Sequence, residues 1–191
     1  MDKLKTCAAA FNELLNINYY CVIGRKGQTR EFSLVFDTYH FHHLSGLHKL
    51  SDVQEVRGNR ERVFKNILSD SLTYEMIGRS KDFPLIETRL DYLHLLEQFM
   101  DSNSIIFNYD KRKNNSSRIE AVYLLSNDID GNTIYLFIDK DSADMFFGRT
   151  FFPKGLIDFT IAQPQWTFLY KEKINTSTDE RIIQYDELKK S

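Results

Sequence analysis

The 191-residue sequence contains few prolines, glycines and cysteines, with three Pro, eight Gly and two Cys. The two cysteines, Cys7 and Cys21, have no metal-ligand spacing and cannot make a disulfide framework, so we expect a reduced, cytoplasmic protein. The sequence also lacks any run of about 18 apolar residues, which is the length that a membrane-spanning helix needs. A membrane partner is therefore not expected.

An excess of positive charge is also missing, because 25 Lys and Arg residues stand against 27 Asp and Glu residues, giving a net charge of −2 at pH 7. This balance excludes a basic protein that coats nucleic acid, but it allows an enzyme that touches a few phosphates locally. The basic segments RKGQTR, RGNRERVFK and KRKNNSSR either bind such phosphates or form solvated surface. No Gly-rich phosphate loop or dinucleotide fingerprint is present, and no cofactor is expected.

Aromatic residues are abundant, with 15 Phe and 10 Tyr, and they favour strands and packed cores. Apolar residues at helical spacing predict a first helix over residues 2–16 and a histidine-rich helix that ends near Leu50. Between them, residues 19–36 have the alternation of a hairpin that turns near Lys26-Gly27. The N-terminal part of the chain should therefore contain helices and one short hairpin.

The rest of the sequence changes from helical to strand-like patterns. Residues 52–100 are helical in texture, most strongly over DFPLIETRLDYLHLLEQFM. The following residues predict four or five strands, two of them joined by the strong hairpin signal Asp130-Gly131. The expected fold is α+β: N-terminal helices and a short hairpin followed by an antiparallel meander sheet of four to five strands, with the helices on one face. We expect a single domain over residues 1–175 and a tail or weak helix over residues 176–191.

Four of the five histidines, His40, His42, His43 and His48, lie within the stretch YHFHHLSGLHKL. A metal site is one interpretation, but only His40 and His43 share a helix face well, and no cysteine is near. A second interpretation is a helix whose histidines lie mostly on the surface. The third uses one imidazole as a proton carrier, since imidazole titrates near neutral pH. Gly46, which is costly inside a helix, indicates a packed or ligand-facing surface beside these histidines.

The stretch FFGRTFFP places Arg149 and Thr150 between two pairs of Phe. Neighbours in a strand point to opposite faces, so these two side chains diverge unless Gly148 makes a bulge. Arg149 is either an edge residue with its stem on apolar surface or a charge held for an anion. The stretch WTFLYKEK offers Tyr170 and Lys171 similarly, with plain strand roles as the alternative.

A short histidine motif carries a resemblance to a known family. The motif His43-Leu44-Ser45-Gly46-Leu47, with the later pieces Phe-Phe-Pro and Leu-Tyr-Lys-Glu, resembles the phage- and Firmicute-associated nuclease-like domains of the barnase, EndoU, colicin and RelE-like superfamily. The most similar group is the fourth subfamily, found in phage polyvalent proteins. The resemblance covers residues 5–175. It implies a metal-independent ribonuclease fold, with helices followed by a four-stranded antiparallel meander, and a phage or mobile-element origin.

The resemblance also implies a reaction and its residues. Members are predicted to cleave RNA by attack of a ribose 2′-hydroxyl on the adjacent phosphate, which needs a base, a cation and an acid. The resemblance implies a mix of His, Arg or Lys, and Ser, Thr or Tyr in the site, and our hypothesis assigns His43 as the base or acid and Arg149 as the cation. Thr150 or Tyr170 would bind phosphate. Further substrate contacts are predicted for His42, His48, Lys171 and Arg25, and no metal ligand is assigned.

The strand half contains no second histidine, so a second proton carrier must be His42, His48, a tyrosine or a lysine. RNA and a protein partner such as an antitoxin are the expected partners. The competing hypothesis is a nuclease-like fold without catalysis, used as a binding module in a phage–host or toxin–antitoxin complex, and the negative net charge favours it slightly. A metal-dependent hydrolase built on His40 and His43 is a third class.

Overall fold

The helices are short, and the strands form one eight-stranded sheet. The computed structural model of the protein describes residues 2–114 and 117–188. The helices are α1 (Lys3–Glu13), α2 (Thr38–Leu44), α3 (Arg60–Leu68), α4 (Tyr74–Gly78), α5 (Glu87–Tyr92) and α6 (Leu96–Asp101). The strands are β1 (Ile17–Arg25), β2 (Gln28–Val35), β3 (Ile105–Asn108), β4 (Tyr123–Ile129), β5 (Asn132–Lys140), β6 (Phe146–Pro153), β7 (Gln165–Asn175) and β8 (Arg181–Asp186). Within the described ranges, no helix is both long and apolar enough to cross a membrane.

Helix α1 and two hairpin turns agree with the sequence patterns. The side chain of Asp2 caps α1 by accepting a hydrogen bond from the backbone N–H of Lys5. β1 and β2 form the expected hairpin, and Lys26 and Gly27 at its turn have φ angles of 50° and 78°. Asp130-Gly131 makes the same left-handed turn between β4 and β5, as a two-residue hairpin loop requires.

The predicted antiparallel meander of four to five strands is wrong, because the sheet has eight strands and closes on itself. The hydrogen-bonded order is β1-β2-β6-β5-β4-β3-β7, and β7 pairs again with β1, which gives a ring of seven strands. β8 pairs with β7. The sheet is mixed, since β2 runs parallel to β6. Among the described strands, the antiparallel meander is limited to the run from β3 to β6.

Strand alternation identifies the buried face of a strand but not its neighbours, which explains the error. β1 is an interior strand, in which Tyr19 is paired with Leu34 of β2 on one side and Lys173 of β7 on the other. The β1–β7 pairing joins the two ends of the chain, and no local pattern indicates it. The C-terminal segment, expected as a weak helix or tail, forms strand β8 instead, because it folds back on β7 as an antiparallel hairpin.

The segment DFPLIETRLDYLHLLEQFM is broken into α5, α6 and two short 3₁₀ turns, Phe83–Leu85 and Leu93–Leu95. Its apolar stripe is nevertheless buried, because Ile86, Leu90 and Leu93 are almost fully covered. The apolar period sets the buried face of a segment, while tertiary packing decides whether the helix is continuous.

The ring is weakly joined between β2 and β6. In the described chain, two residue pairs connect these strands, Leu34–Phe146 and Val35–Phe147. Beyond them the chain leaves β2 and enters α2, and both α2 and α5 pack on β6. The helices therefore fill a gap in the sheet, which we call the β2–β6 split. The histidines of α2 lie at this split.

β6 is held from both faces. Leu136 and Ile138 of the neighbouring strand β5 belong to the main core, where the helices pack, while Tyr135 and Phe137 belong to a smaller apolar cluster on the opposite face. Phe152 of β6 packs against that smaller cluster. Because both faces of these strands are packed, β6 is a rigid support for the residues at the split.

α2 ends at Leu44, earlier than the expected end near Leu50, because Gly46 has a left-handed φ of +82°. A Cβ atom on Gly46 would lie 2.7 Å from Cγ2 of Ile86 and 3.1 Å from Cδ of Arg89. Glycine therefore ends the helix and also lets α5 approach its end closely.

Replacing Gly46 with alanine should lower the free energy of unfolding by more than the same change at Gly58. Both glycines have a positive φ, but a Cβ on Gly58 meets nothing within 4 Å. The shared backbone strain costs about 1–2 kcal/mol, and the contact with Ile86 should add roughly 1–3 kcal/mol at Gly46 alone. Urea unfolding of the two variants measures the difference. Equal losses would show that α5 does not restrict this position.

Candidate active site

Two of the clustered histidines make structural contacts. Nδ1 of His40 accepts a hydrogen bond from the backbone N–H of Asp37 at 3.0 Å, and its ring stacks on Phe147 at 4.8 Å between centroids. Nε2 of His42 donates to the carbonyl oxygen of Val56 at 2.7 Å. Both side chains are buried. His40 and His42 therefore support the position of α2.

His43 faces a cavity of about 150 Å³ at the β2–β6 split. The described residues that line it are Tyr39, His40, His43, Arg60, Phe147, Gly148 and Arg149. These residues include two arginines and no carboxylate. A water molecule occupies about 30 Å³, so the cavity has room for a small anion such as a phosphate group. His43 and Arg149, which come from distant parts of the sequence, are brought together here.

The surroundings of His43 favour its neutral form. Burial, together with the nearby charges of His48 and Arg60, lowers the pKa of His43 to about 4. The rings of His43 and His48 lie 4.5 Å apart between centroids. An imidazole with this pKa is uncharged at pH 7 and can accept a proton.

Arg149 lies on a bulge in β6. It is the extra residue between two neighbouring pairs of the β5–β6 ladder, Phe137–Thr150 and Ile138–Gly148. A bulge changes the direction of the side chains around it, and the neighbouring Gly148 allows the backbone to adopt it. The Arg149 guanidinium donates a hydrogen bond to Oδ2 of Asp139 at 3.0 Å and is about half exposed. Exposed ion pairs are worth about 1 kcal/mol or less, so this contact leaves Arg149 available to an anion.

Arg89 on α5 is a further candidate, and it belongs to no sequence motif. Its side chain is only 8 % exposed, and Nη1 donates to Oγ1 of Thr150 at 2.6 Å. The guanidinium carbon also lies 5.0 Å from the centre of the Phe152 ring. Among the described residues, no carboxylate pairs with Arg89, and burial lowers its pKa to about 10. The sequence held one signal, since Arg89 follows Ile86 by three residues on the buried stripe, where charges are rare.

Lys49 and His48 lie on the 3₁₀ turn Leu47–Lys49, which follows Gly46, the residue against which Arg89 packs. Burial and the charge of Arg89 lower the pKa of Lys49 to about 8. Partial desolvation and the charges of Arg89 and Lys49 lower the pKa of His48. The split therefore carries a basic cluster, which we define as His43, His48, Lys49, Arg60, Arg89 and Arg149. This local cluster is not visible in the net charge of −2.

A protein-family model matches the chain over residues 3–188, and its description reads phage-Barnase-EndoU-ColicinE5/D-RelE like nuclease4. The chain belongs to this family. The resemblance inferred from the histidine motif is thereby confirmed, and the protein is a nuclease-like domain of the superfamily. No curated protein and no solved structure gives a significant match.

Three of the predicted site residues of this nuclease-like domain lie away from the cluster. Lys171 is buried, and its ammonium group donates to the carbonyl oxygens of Met100 and Ser102, both at 2.7 Å, at the end of α6. Tyr170 lies on β7, which β1 and β2 separate from β6 on one side of the ring. Arg25 lies beside the hairpin turn, and the length of β2, about 26 Å, separates it from α2.

In the parts of the chain that the structure describes, no group of three or more His, Cys, Asp or Glu residues is arranged to hold a metal ion. The pair that suggested a metal site, His40 and His43, has divergent contacts. His40 stacks on Phe147 while His43 packs against His48.

Proposed function

We propose that this nuclease-like domain is a ribonuclease of phage or mobile-element origin, which cleaves RNA through its 2′-hydroxyl without a metal ion. The observation that carries the proposal is the cavity shared by His43 and Arg149, whose described lining has cations and no carboxylate. A phosphodiester is an anion, and cationic donors favour its binding, with the phosphate competing with Asp139 for the Arg149 guanidinium. The family description supports the phage origin.

His43 is the proposed base. It is neutral at pH 7, because its pKa is lowered to about 4, and it can take the proton of a ribose 2′-hydroxyl. The 2′-oxygen then forms a bond to phosphorus, and the bond from phosphorus to the 5′-oxygen of the next nucleotide breaks. The products are a 2′,3′-cyclic phosphate and a 5′-hydroxyl.

Arg149 is the proposed cation that stabilises the charge developing on the phosphate oxygens. The 5′-oxygen that leaves needs a proton, and Lys49 is the proposed donor, because its pKa of about 8 leaves it protonated at pH 7. His48 contacts the ring of His43 but is neutral at pH 7, because burial lowers its pKa to about 4. Lys49 therefore takes the place of the histidine that the strand half of the sequence lacks.

RNA is the proposed substrate, and the cytoplasm is the proposed location. A ribonuclease that needs neither metal nor cofactor is active wherever it meets RNA, so control by a bound protein such as an antitoxin is a further part of the proposal. Thr150, predicted to bind phosphate, accepts a hydrogen bond from Arg89.

The native protein should cleave a labelled RNA oligonucleotide in the presence of EDTA and leave the 2′-O-methyl version of the same sequence intact. The methyl group blocks the attacking oxygen and changes nothing else in the backbone. Gel analysis of both substrates measures this. If neither RNA is cleaved, the chain is better explained as a binding module, and cleavage of the methylated substrate would exclude 2′-hydroxyl attack.

A further inference from the structure

We propose that Arg89, Lys49 and Thr150 form a second phosphate-binding subsite, which holds a phosphate of the RNA backbone next to the one in the His43–Arg149 cavity. This inference deepens the proposed function and rests on it for the identity of the substrate. The geometry of Arg89 carries the inference, since no sequence motif assigns this residue a role.

Arg89 is a buried charge without a matching acid. A guanidinium has five N–H donors, and the described contacts of Arg89 use one of them, on the Thr150 hydroxyl. Burying a cation is expensive unless it is paired. An arginine with a structural role in a core is normally matched by a carboxylate or several carbonyl oxygens. A bound phosphate would supply the missing anionic acceptors.

Lys49 and Thr150 complete the donors of this subsite. Lys49 is half-buried on the 3₁₀ turn that follows Gly46, and its backbone N–H donates to the Gly46 carbonyl oxygen at 2.9 Å. Gly46 is also the residue against which the Arg89 side chain packs, and the charge of Arg89 contributes to the lowered pKa of Lys49. In the described chain, no carboxylate accepts from Lys49. The Thr150 hydroxyl oxygen accepts from Arg89, which leaves its own O–H able to donate to a phosphate oxygen. Two cations and a hydroxyl without an acid match the groups that bind phosphate in proteins.

The subsite adjoins the cavity of His43 on two sides. On β6, Thr150 follows Arg149 directly, so their Cα atoms are about 3.8 Å apart. On the helical side, the ring of His48 contacts His43, and His48 lies on the turn after Gly46, the residue against which Arg89 packs. A single nucleic-acid strand that enters the β2–β6 split can therefore meet both groups of cations.

Gly46 supports this arrangement. A Cβ on Gly46 would meet Cδ of Arg89 at 3.1 Å, so the glycine leaves room for the arginine side chain to run from α5 toward β6. The stacking of Arg89 on Phe152 fixes its direction further. The guanidinium is thus preorganised, which reduces the entropy lost when it binds an anion.

The test measures binding of a fluorescent 2′-O-methyl RNA oligonucleotide, which cannot be cleaved, by anisotropy over a range of salt concentrations in EDTA. Arg89→Met keeps the length of the side chain and removes the charge. It should weaken binding about 10- to 100-fold and reduce the slope of log affinity against log salt by about 0.7, as expected for one lost phosphate contact on a single strand. Lys49→Gln should have the same kind of effect, and it covers the case in which Arg89→Met does not fold.

Lys65→Gln is the matched control, because Lys65 is exposed on α3 and pairs with Glu61. It should bind like the native protein. Inorganic phosphate added to the same samples should compete weakly with the oligonucleotide. Binding of phosphate but not of the oligonucleotide would overturn the assignment to the RNA backbone.

The outcomes separate the subsite from the catalytic proposal. A native protein that binds the probe through Arg89 but never cleaves RNA keeps the subsite and loses the ribonuclease. A native protein that cleaves RNA, with Arg89→Met and Lys49→Gln binding the probe as tightly and with the same salt slope, overturns the subsite alone. Absence of probe binding by the native protein at low salt would also overturn it.

Discussion

Replacing His43 with alanine is expected to lower the rate of RNA cleavage by a factor of about 100 to 10,000, the usual contribution of a general base. The imidazole is the proposed acceptor of the 2′-hydroxyl proton, and alanine has no group to replace it. Binding of the uncleavable 2′-O-methyl oligonucleotide should change little, since the cations of the cluster remain. Initial rates with labelled RNA in EDTA measure the loss.

His94→Ala is the matched control for this prediction, because His94 is exposed and lies outside the cavity. This variant should cleave RNA at the native rate. Thermal unfolding of both variants shows whether they are folded at the assay temperature. A folded His43→Ala protein with native activity would remove His43 from the reaction and leave the cluster as a binding surface.

The second large effect is a loss of stability in acid that depends on His40. This side chain is 4 % exposed, and burial lowers its pKa from 6.5 to about 4. The unfolded chain keeps the ordinary value. Between pH 6.5 and pH 4 the unfolded state therefore binds a proton that the folded state lacks. By linkage, stability falls as the pH falls through this window.

His40→Gln removes the titration and keeps an acceptor for the backbone N–H of Asp37, as glutamine does at this position of a capping box. Between pH 7 and pH 4.5, the native protein should lose about 2–3 kcal/mol more than the variant, since one pKa unit corresponds to about 1.4 kcal/mol. Urea unfolding at the two pH values gives both numbers.

The exposed His94 again provides the control, because His94→Gln should show the full loss of the native protein in acid. Each protein is compared with itself at the two pH values. The variant lacks the His40–Phe147 stacking at both, so this loss does not affect the difference between them. If His40→Gln and the native protein lose equal stability between pH 7 and pH 4.5, His40 is not the group whose protonation destabilises the fold.

The fold could be predicted from the sequence as far as its local elements and no further. The turns at Lys26-Gly27 and Asp130-Gly131 depend on neighbouring residues, and the sequence indicates both of them. The closure of the ring depends on β1 pairing with β7, whose residues lie at opposite ends of the chain. Periodicity gives the buried face and not the partner, so the closed, mixed sheet was not predictable in this way.

The candidate site was also only partly predictable from the sequence. His43 and Arg149 could be proposed from their chemistry and motif, and the fold brings them into one cavity. Arg89 could not, since its importance depends on what surrounds it: a buried position, a threonine hydroxyl and no described carboxylate. Lys171 was predicted as a substrate contact, but its ammonium group donates to carbonyl oxygens at the end of α6.

The β2–β6 split connects the fold with the proposed chemistry. Two residue pairs hold β2 to β6 in the described chain, and the helices that fill the rest of the gap carry His43 and Arg89, while His48 and Lys49 lie on the 3₁₀ turn that follows α2. A fully paired sheet would have no room for these side chains beside β6. We therefore regard the incomplete pairing as the feature that creates the site.

The central claim is that residues at this split direct the 2′-hydroxyl of RNA to the adjacent phosphate. The most direct measurement is mass spectrometry of the fragments that the native protein makes from a defined RNA oligonucleotide in EDTA, with His43→Ala run in parallel. The account predicts fragments with 2′,3′-cyclic phosphate and 5′-hydroxyl ends from the native protein, and nearly intact RNA from the variant. Fragments with 5′-phosphate ends, or the same fragments at the same rate from His43→Ala, would contradict it.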